Sequence, residues 1–305
     1  MVPENSHLIT IHTMMGAKNL DLAIQCLGSI LRFCRHPVEI LVHEDGTLGE
    51  QAREQMVAVL KRVRFQNRSE TDEIIEDKLR SHPRCRAFRK RHLFAPQILD
   101  IPLLTPPGKR MVYTDTDVLF TRPVECPEFF VGGGAPFTGS RDLRESYSVH
   151  LKHWHLLGKY GVPVGSRLCA GIMSFDLSVH DVDYLEWLLR LDEEHRLFSA
   201  YPFYMAQTFC AALAARVKAG YIDPAECVVA HLSSMKLVRK ASIVHFAGYS
   251  RNYFHEIHAV IGPETEHLPA RKLAIVSVPA CGLGRRFLSA ARAKFLLREN
   301  PSGIR

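Results

Sequence analysis

Short apolar runs alternate with longer amphipathic stretches through the first part of this chain. The runs at 7–13, 38–42 and 63–65 predict strands, because their residues are apolar and of strand-forming types. Between them, residues 20–33 and 50–61 carry apolar side chains at helical spacing. Strands that alternate with helices predict a mostly parallel, doubly wound sheet, whose ligands bind above the carboxyl ends of its strands.

The rest of the chain continues this pattern. Further strands are predicted at 111–113, 118–120, 135–138, 167–177 and 242–248, and further helices at 84–99, 182–198 and 203–217. Residues 144–160 cannot be assigned from their pattern alone. We find no internal repeat and no clear linker, so we predict one catalytic domain over residues 1–260 and an extension, residues 261–305, that packs on it or adjoins it.

Two aspartates interrupt the apolar segment 111–120. Asp115 and Asp117 flank Thr116 directly after a predicted strand. Apolar neighbours on both sides would draw the carboxylates inward, where two like charges are costly unless a cation neutralises them or one binds a proton. Mg²⁺ and Mn²⁺ prefer such oxygen ligands and often share them with a diphosphate. The pair therefore predicts a metal and nucleotide-diphosphate site, and the alternative is a turn whose aspartates accept backbone N–H groups.

Composition and charge narrow the class of protein. The formal net charge of +7 fits an anionic substrate or a membrane surface, and it is too small to indicate nucleic-acid binding. The eight cysteines form no C-x-x-C pair, and several have apolar neighbours, which favours free buried thiols in a reducing compartment. No apolar stretch of about 18 residues occurs, and the N-terminus has no basic leader before an apolar segment. We therefore expect a cytoplasmic protein.

A second acidic loop follows the strand at 38–42. Its sequence, Asp45-Gly46-Thr47-Leu48, resembles the D-G-T-L string of haloacid-dehalogenase-type phosphatases. The nucleophilic aspartate of that family would lie at position 43, where this chain has His43, so the covalent aspartyl-phosphate chemistry is lost. Asp45 remains a candidate for a nucleotide contact, with an ordinary turn aspartate as the alternative.

Four segments resemble, in their order along the chain, the elements of GT-A-fold glycosyltransferases, and especially those of retaining family 8, the glycogenin and bacterial galactosyltransferase type. They read YTDTD at 113–117, CAGIM at 169–173, Gln207 within a helical run, and HFAGYSR at 245–251. The family pattern is Y-x-D-x-D, N-A-G-V, D-Q-D and H-F-x-G-x-x-K. The resemblance spans about residues 7–255, and it implies an α/β GT-A fold with a mostly parallel, Rossmann-like sheet flanked by helices.

The resemblance also implies roles for individual residues. Asp115, Asp117 and His245 would bind Mn²⁺ or Mg²⁺, and the two aspartates would act in catalysis together with Gln207 near the anomeric centre of the donor sugar. The remaining donor contacts fall on several parts of the chain: His12, Thr13, Thr116, Ala170, Gly171, Gly248 and Arg251. Arg251 would replace the family lysine at the diphosphate, and it keeps the positive charge with a bidentate geometry.

Two further candidates come from the residues themselves: Asp45, after the second strand, and Arg91, in the basic cluster 84–91. That cluster would hold a diphosphate or an acidic acceptor, and the alternative is a solvated basic helix face.

Three positions depart from the family pattern. Cys169 stands where the family has Asn, and Ala206 and Thr208 stand where aspartates flank the glutamine. The loop 12–15 also lacks the usual acidic residue that contacts the base. The donor sugar therefore stays open, and uridine is implied by the resemblance alone.

The implied activity is the transfer of a hexose from a nucleotide diphosphate sugar, a UDP-sugar by the resemblance, to an unidentified carbohydrate, lipid-linked or protein acceptor, with retention. The alternative is a catalytically inactive nucleotide-sugar-binding or scaffold protein of the same fold, which Cys169 and Ala206 favour. Near the C-terminus, residues 283–297 predict a basic amphipathic helix. This helix would contact a membrane peripherally, at its inner face, or pack on the domain.

Overall fold

The computed structural model describes residues 8–199, 201–259, 261–282 and 284. Its strands are β1 Ile9–Met15, β2 Val38–Glu44, β3 Val63–Gln66, β4 Arg110–Thr114, β5 Val118–Phe120, β6 Val124–Glu125, β7 Phe137–Arg141, β8 Leu168–Asp176, β9 Gly220–Ile222, β10 Cys227–Val229, β11 Ile243–His245, β12 Arg271–Lys272 and β13 Ile275–Ser277. Its α-helices are α1 Leu20–Phe33, α2 Glu50–Leu60, α3 Arg68–Lys78, α4 Pro83–Arg91, α5 Ala95–Ile98, α6 Asp100–Leu104, α7 Pro127–Phe130, α8 Trp154–Lys159, α9 Val182–His195, α10 Met205–Ala215, α11 Met235–Val238 and α12 Phe254–His258. The alternation of strands and helices predicted for the first part of the chain is confirmed.

The central sheet has eight strands in the order β13-β9-β7-β8-β4-β1-β2-β3. Its half from β4 to β3 is parallel, as the sequence pattern predicts. Strand β8 runs antiparallel to both β4 and β7. Because Arg141 pairs with Leu168, β7 ends and β8 begins at the same edge, and residues 142–167 connect them without crossing the sheet. The half of the sheet from β13 to β8 therefore contains both parallel and antiparallel pairs.

Helices cover both faces of the sheet, and β4 shows why. Met111 and Tyr113 pack into one hydrophobic cluster and Val112 into another, since successive side chains of a strand point to opposite faces. The cluster on the Val112 side includes the apolar faces of α1 and α2. The other cluster includes α10, which is buried at nearly every position. The core of this α/β fold thus lies in two layers around β4.

A smaller sheet, in the order β10-β11-β5, adjoins the carboxyl end of β4. Residues 115–117 connect β4 to β5, and β11 pairs antiparallel with β5, so His245 lies opposite Val118. The backbone N–H of Asp115 donates to Gly171 O at 2.7 Å, and that of Phe246 donates to Asp117 O at 2.9 Å. These bonds fix the turn between the two sheets.

Two parts of the helical prediction are corrected by the structure. The helix predicted at 84–99 is divided: α4 ends before His92, which has an extended backbone, and α5 and α6 follow separately. Pro96 has no N–H, so a continuous helix would lose a hydrogen bond at that position. Helix α3 was not predicted from its pattern, and it begins with the Asn67 side chain accepting the N–H of Ser69 at 3.0 Å.

The described part of the C-terminal extension joins the rest of the chain through backbone pairing. Strand β12 pairs with β6, and β13 pairs with β9 at the edge of the central sheet. Of the helix predicted at 283–297, residues 283 and 285–297 lie outside the described residues. Within the ranges that the structure describes, no helix is long and apolar enough to cross a membrane.

Candidate metal and donor site

Three side chains with metal-binding atoms converge at the carboxyl end of β4. These are Asp115, Asp117 and His245, and one ligating atom of each lies within 4.8 Å of the others. Nε2 of His245 lies 3.2 Å from Oδ1 of Asp117 and 3.6 Å from Oδ2 of Asp115. The side chains of His245 and Asp117 are 5% and 4% exposed, whereas that of Asp115 is 34% exposed. The structure thus brings together the three residues that the resemblance implies as metal ligands.

Gly171 on β8 makes room for the imidazole. A Cβ atom added at this position would lie 2.1 Å from Cε1 of His245, which no packing arrangement tolerates. The resemblance implies that Gly171 faces the donor sugar. The structure shows a second reason for glycine at this position. Glycine at 171 lets β8 pack directly against the ring of a proposed metal ligand.

The charges in this cluster perturb one another. Loss of solvation, together with repulsion from Asp117, raises the pKa of Asp115 to about 6. Burial would also raise the pKa of Asp117, but the positive groups of His245 and Arg251 outweigh it and hold this pKa below its usual range. Burial opposes protonation of His245, yet Cys169 and Asp117 raise its pKa well above the ordinary value. The two carboxylates are thus stabilised by the positive charge of His245 and Arg251 beside them.

Arg251 is the side chain that already supplies positive charge here. Its Nε and Nη2 donate to Oδ2 of Asp117 at 2.9 and 2.7 Å. The other oxygen, Oδ1 of Asp117, is buried and receives no hydrogen bond from the described residues, although His245 Nε2 lies 3.2 Å from it. A buried carboxylate oxygen without a donor, beside an imidazole nitrogen and a second carboxylate, fits the ligand set of a Mn²⁺ or Mg²⁺ ion.

Gln207, at the first turn of α10, lies against the same strand as Gly171. Its Nε2 donates to the carbonyl of Ser146 at 2.9 Å and to Oδ2 of Asp142 at 3.2 Å, and its Oε1 lies 3.5 Å from the backbone N of Ala170. Burial raises the pKa of Asp142. Asp142 was not identified from the sequence. Its signal there is only its position after a strand, which was predicted at 135–138 and ends at Arg141 in the structure.

The three residues that depart from the family pattern are all buried. Ala206 and Thr208 are both buried, and the Thr208 hydroxyl accepts the N–H of Ser148 and donates to the carbonyl of Tyr204. Aspartates at 206 and 208 would therefore lie inside the core of this protein. The thiol of Cys169 lies against the imidazole of His245.

The residues near strands β1 and β2 that are expected to contact the donor are either buried or hydrogen-bonded within the protein. Nδ1 of His12 lies 2.9 Å from Nε2 of His43, and burial lowers their pKa values to about 3 and about 4. Thr13 is fully buried, and its hydroxyl has no hydrogen-bond partner within the part of the chain that the structure describes. Asp45 is exposed and accepts the N–H and the hydroxyl of Thr47 at 2.8 and 2.6 Å, which is the geometry of a turn aspartate.

The other residues predicted to contact the donor differ in their exposure and in their pairing with other residues. The basic cluster at 84–91 is largely paired with acids, since Arg84 contacts Glu193 and buried Arg89 contacts Asp100. Arg91, at the end of α4, is exposed. Thr116 is half-buried between the two aspartates, and Gly248 adopts a φ of 61°, which favours glycine.

This chain matches no family model and no curated protein in sequence. Among solved structures, it resembles mouse xyloside xylosyltransferase 1 with a TM-score of 0.52 and 14% identity, over 80% of this chain and 99% of that one. It resembles the bifunctional glycosyltransferase WbbM with a TM-score of 0.50 and 12% identity, over 88% of this chain and 52% of that one. The galactosyltransferase LgtC also aligns, with a TM-score of 0.49 and 15% identity.

These neighbours are glycosyltransferases of the GT-A fold, and the chain adopts that fold. The α/β GT-A fold predicted from the sequence is thereby confirmed. At identities of 12% and 14%, the likeness establishes the architecture alone, so the activity must be argued from the site.

Proposed function

We propose that this protein is a metal-dependent glycosyltransferase, which moves a hexose from a nucleotide diphosphate sugar to a hydroxyl group of a carbohydrate, lipid-linked or protein acceptor. UDP is the proposed nucleotide. The observation that carries the proposal is the convergence of Asp115, Asp117 and His245 at the carboxyl end of β4. In an α/β sheet this edge is where ligands bind, and the fold is one that glycosyltransferases use.

Asp115, Asp117 and His245 would hold Mn²⁺ or Mg²⁺ through two carboxylate oxygens and one imidazole nitrogen. When bound, such an ion stabilises the negative charge on a departing nucleoside diphosphate. Arg251 would turn from Asp117 toward the outer phosphate, since a guanidinium binds a phosphate as readily as a carboxylate. Gly248 would let the backbone approach the diphosphate, because it has no side chain to obstruct the approach.

The remaining donor residues are proposed in two groups. Ala170, Gly171 and Gln207 would face the sugar, as supported by the nearness of Gln207 Oε1 to the backbone N of Ala170 near the beginning of β8. His12, Thr13, Asp45, Thr116 and Arg91 would contact the nucleotide. His12 and Thr13 are buried in the structure, whereas Asp45 and Arg91 are exposed and therefore more accessible to a nucleotide.

Retention of configuration is part of the proposal, with Gln207 beside the anomeric centre. Inversion would require a general base in the site, and Asp142 is a carboxylate that hydrogen-bonds to Gln207. The anomeric configuration of the product decides between them. It is measured from the anomeric proton coupling of the glycoside by NMR, and an inverted product would contradict retention.

The central experiment combines purified protein with a panel of UDP-hexoses and acceptor sugars, and it measures UDP release and the glycosylated product by mass spectrometry. We expect product only with Mn²⁺ or Mg²⁺ present and none from Asp117→Asn. A matched control is Asp77→Asn, because Asp77 lies in an exposed ion pair with Arg80. Undiminished product formation in the metal-stripped protein would contradict the proposal.

A nucleotide-sugar-binding protein without activity is the second candidate. It is favoured by Ala206 and Thr208, which stand where aspartates flank the glutamine in the resembling family. Calorimetry with UDP distinguishes the two, when combined with the product assay. Metal-dependent UDP binding without any glycosylated product over the whole panel would favour this candidate.

A cytoplasmic location is proposed from the cysteines. Seven cysteines are buried free thiols, which suits a reducing compartment: Cys26, Cys34, Cys85, Cys126, Cys169, Cys210 and Cys227. We also propose 1–260 as the catalytic unit, and a peripheral membrane contact through residues 283–297.

A further inference from the structure

One nitrogen of the proposed metal ligand His245 faces a sulfur atom. Nε2 points to the two aspartates, while Nδ1 lies 3.3 Å from Sγ of Cys169. Both side chains are buried, so water does not compete for this contact. The ring therefore has one nitrogen for the cluster and another for the thiol.

The backbone holds these two residues in place. His245 ends β11, where its strand pairs with β10 on one side and with β5 on the other. Cys169 lies in β8, next to the segment where Ala170 O accepts the Nε2–H of buried Gln97 at 2.8 Å. The backbone of Gly171 packs against the imidazole ring, so closely that a Cβ atom there would overlap Cε1. The imidazole thus has little freedom to turn, and its partner at Nδ1 is fixed.

A neutral imidazole carries one proton, and only the bare nitrogen can bind a cation. For Nε2 to bind, the proton must reside on Nδ1, where it needs an acceptor. In proteins the partner of the second ring nitrogen sets this choice and orients the ring. Cys169 Sγ is the polar side-chain atom that contacts Nδ1.

We propose that Cys169 is a positioning residue that accepts the Nδ1–H of His245 and so presents the Nε2 lone pair to the metal ion. This inference rests on the metal site of the proposed function. It gives position 169, where the resembling family has Asn, a role toward the metal ligand. A thiol is a weak acceptor, so the contact orients the ring without holding its proton tightly.

The test measures Mn²⁺ affinity of the full chain without nucleotide, by the electron paramagnetic resonance signal of free Mn²⁺. We expect Cys169→Ala to raise the dissociation constant about tenfold or more, the usual cost of losing such a partner. Cys169→Ser should stay within about threefold of wild type, because its hydroxyl oxygen can accept the same proton. Cys126→Ala is the matched control, since Cys126 is buried and free, and its thiol lies near Leu273 O.

A second measurement uses the wild-type protein and Cys169→Ser, so it stands even if Cys169→Ala fails to fold. Nitrogen-15 NMR of the imidazole, recorded with Mg²⁺ bound, should show the proton of His245 on Nδ1. A proton that stays on Nε2 overturns the inference, and so does a dissociation constant for folded Cys169→Ala within about twofold of wild type. Absence of Mn²⁺ binding by the wild-type protein would instead overturn the proposed metal site itself.

Discussion

Removal of the Arg251 guanidinium should change metal binding and nucleotide binding in opposite directions. In the structure, Nε and Nη2 of Arg251 both donate to Oδ2 of Asp117. A cation that binds at Asp117 therefore meets a positive group already in place. Arg251→Ala removes this competitor, so Mn²⁺ should bind more tightly when no nucleotide is present.

The magnitude follows from the contact. A hydrogen bond to a charged group contributes roughly 1.5–3 kcal/mol. The Arg251 side chain is 43% exposed, so solvent screening reduces its effect, and the lower end applies. About 1.5 kcal/mol corresponds to roughly a tenfold lower Mn²⁺ dissociation constant. UDP should bind about tenfold more weakly to the same variant in saturating Mn²⁺, because its phosphate loses one charged partner.

Isothermal titration calorimetry at constant pH measures both constants. Arg239→Ala is the matched control, because Arg239 forms an ion pair with Glu256 in which both side chains are well exposed. It should leave both constants near their wild-type values. If Arg251→Ala weakens Mn²⁺ binding in the absence of UDP, the guanidinium supports the ion instead of competing with it, and the reasoning is refuted.

Three further predictions concern other parts of the molecule. Gln207→Ala should lower kcat and kcat/KM together, as expected for a contact made in the transition state, and normal turnover with an identified acceptor would make Gln207 a structural residue. Burial lowers the pKa of His43 to about 4, so the unfolded chain binds more protons below about pH 6.5, and stability should fall between about pH 6.5 and 4 by up to about 1.4 kcal/mol per unit. Urea unfolding at pH 5 and 7 should show a smaller loss for His43→Gln than for the exposed-site control His267→Gln, and equal losses would contradict this account. In liposome sedimentation, the full chain should pellet with anionic vesicles and a chain ending at residue 282 should not; equal recovery in the supernatant excludes the proposed membrane contact.

The carboxylate pair of the candidate site could be predicted from the sequence because its signal is local. Asp115 and Asp117 interrupt an apolar segment, and few arrangements other than a metal site or a turn explain that pattern. His245 and Gln207 lie far along the chain, so their nearness to the pair required a resemblance to a known family. Asp142 has neither signal, since one acidic residue after a strand is common.

Other features depend on packing that no local pattern shows. A guanidinium can bind a diphosphate or a carboxylate equally well, and only the structure shows that Arg251 pairs with Asp117. The thiol contact at His245 depends on β8 and β11 meeting through Gly171. The helix break at His92 has a local signal in Pro96, which lacks the N–H that a continuous helix needs at that position.

The pairing of β5 with β11 has a consequence for how the protein is made. The ribosome synthesises the chain from the N-terminus to the C-terminus. The turn that contains Asp115 and Asp117 therefore emerges long before the strand that ends in His245. Contacts between such distant segments form slowly, because a long loop must close first. The nascent chain can therefore build the parallel half of its sheet early, but it cannot close the three-residue cluster until synthesis has passed residue 245.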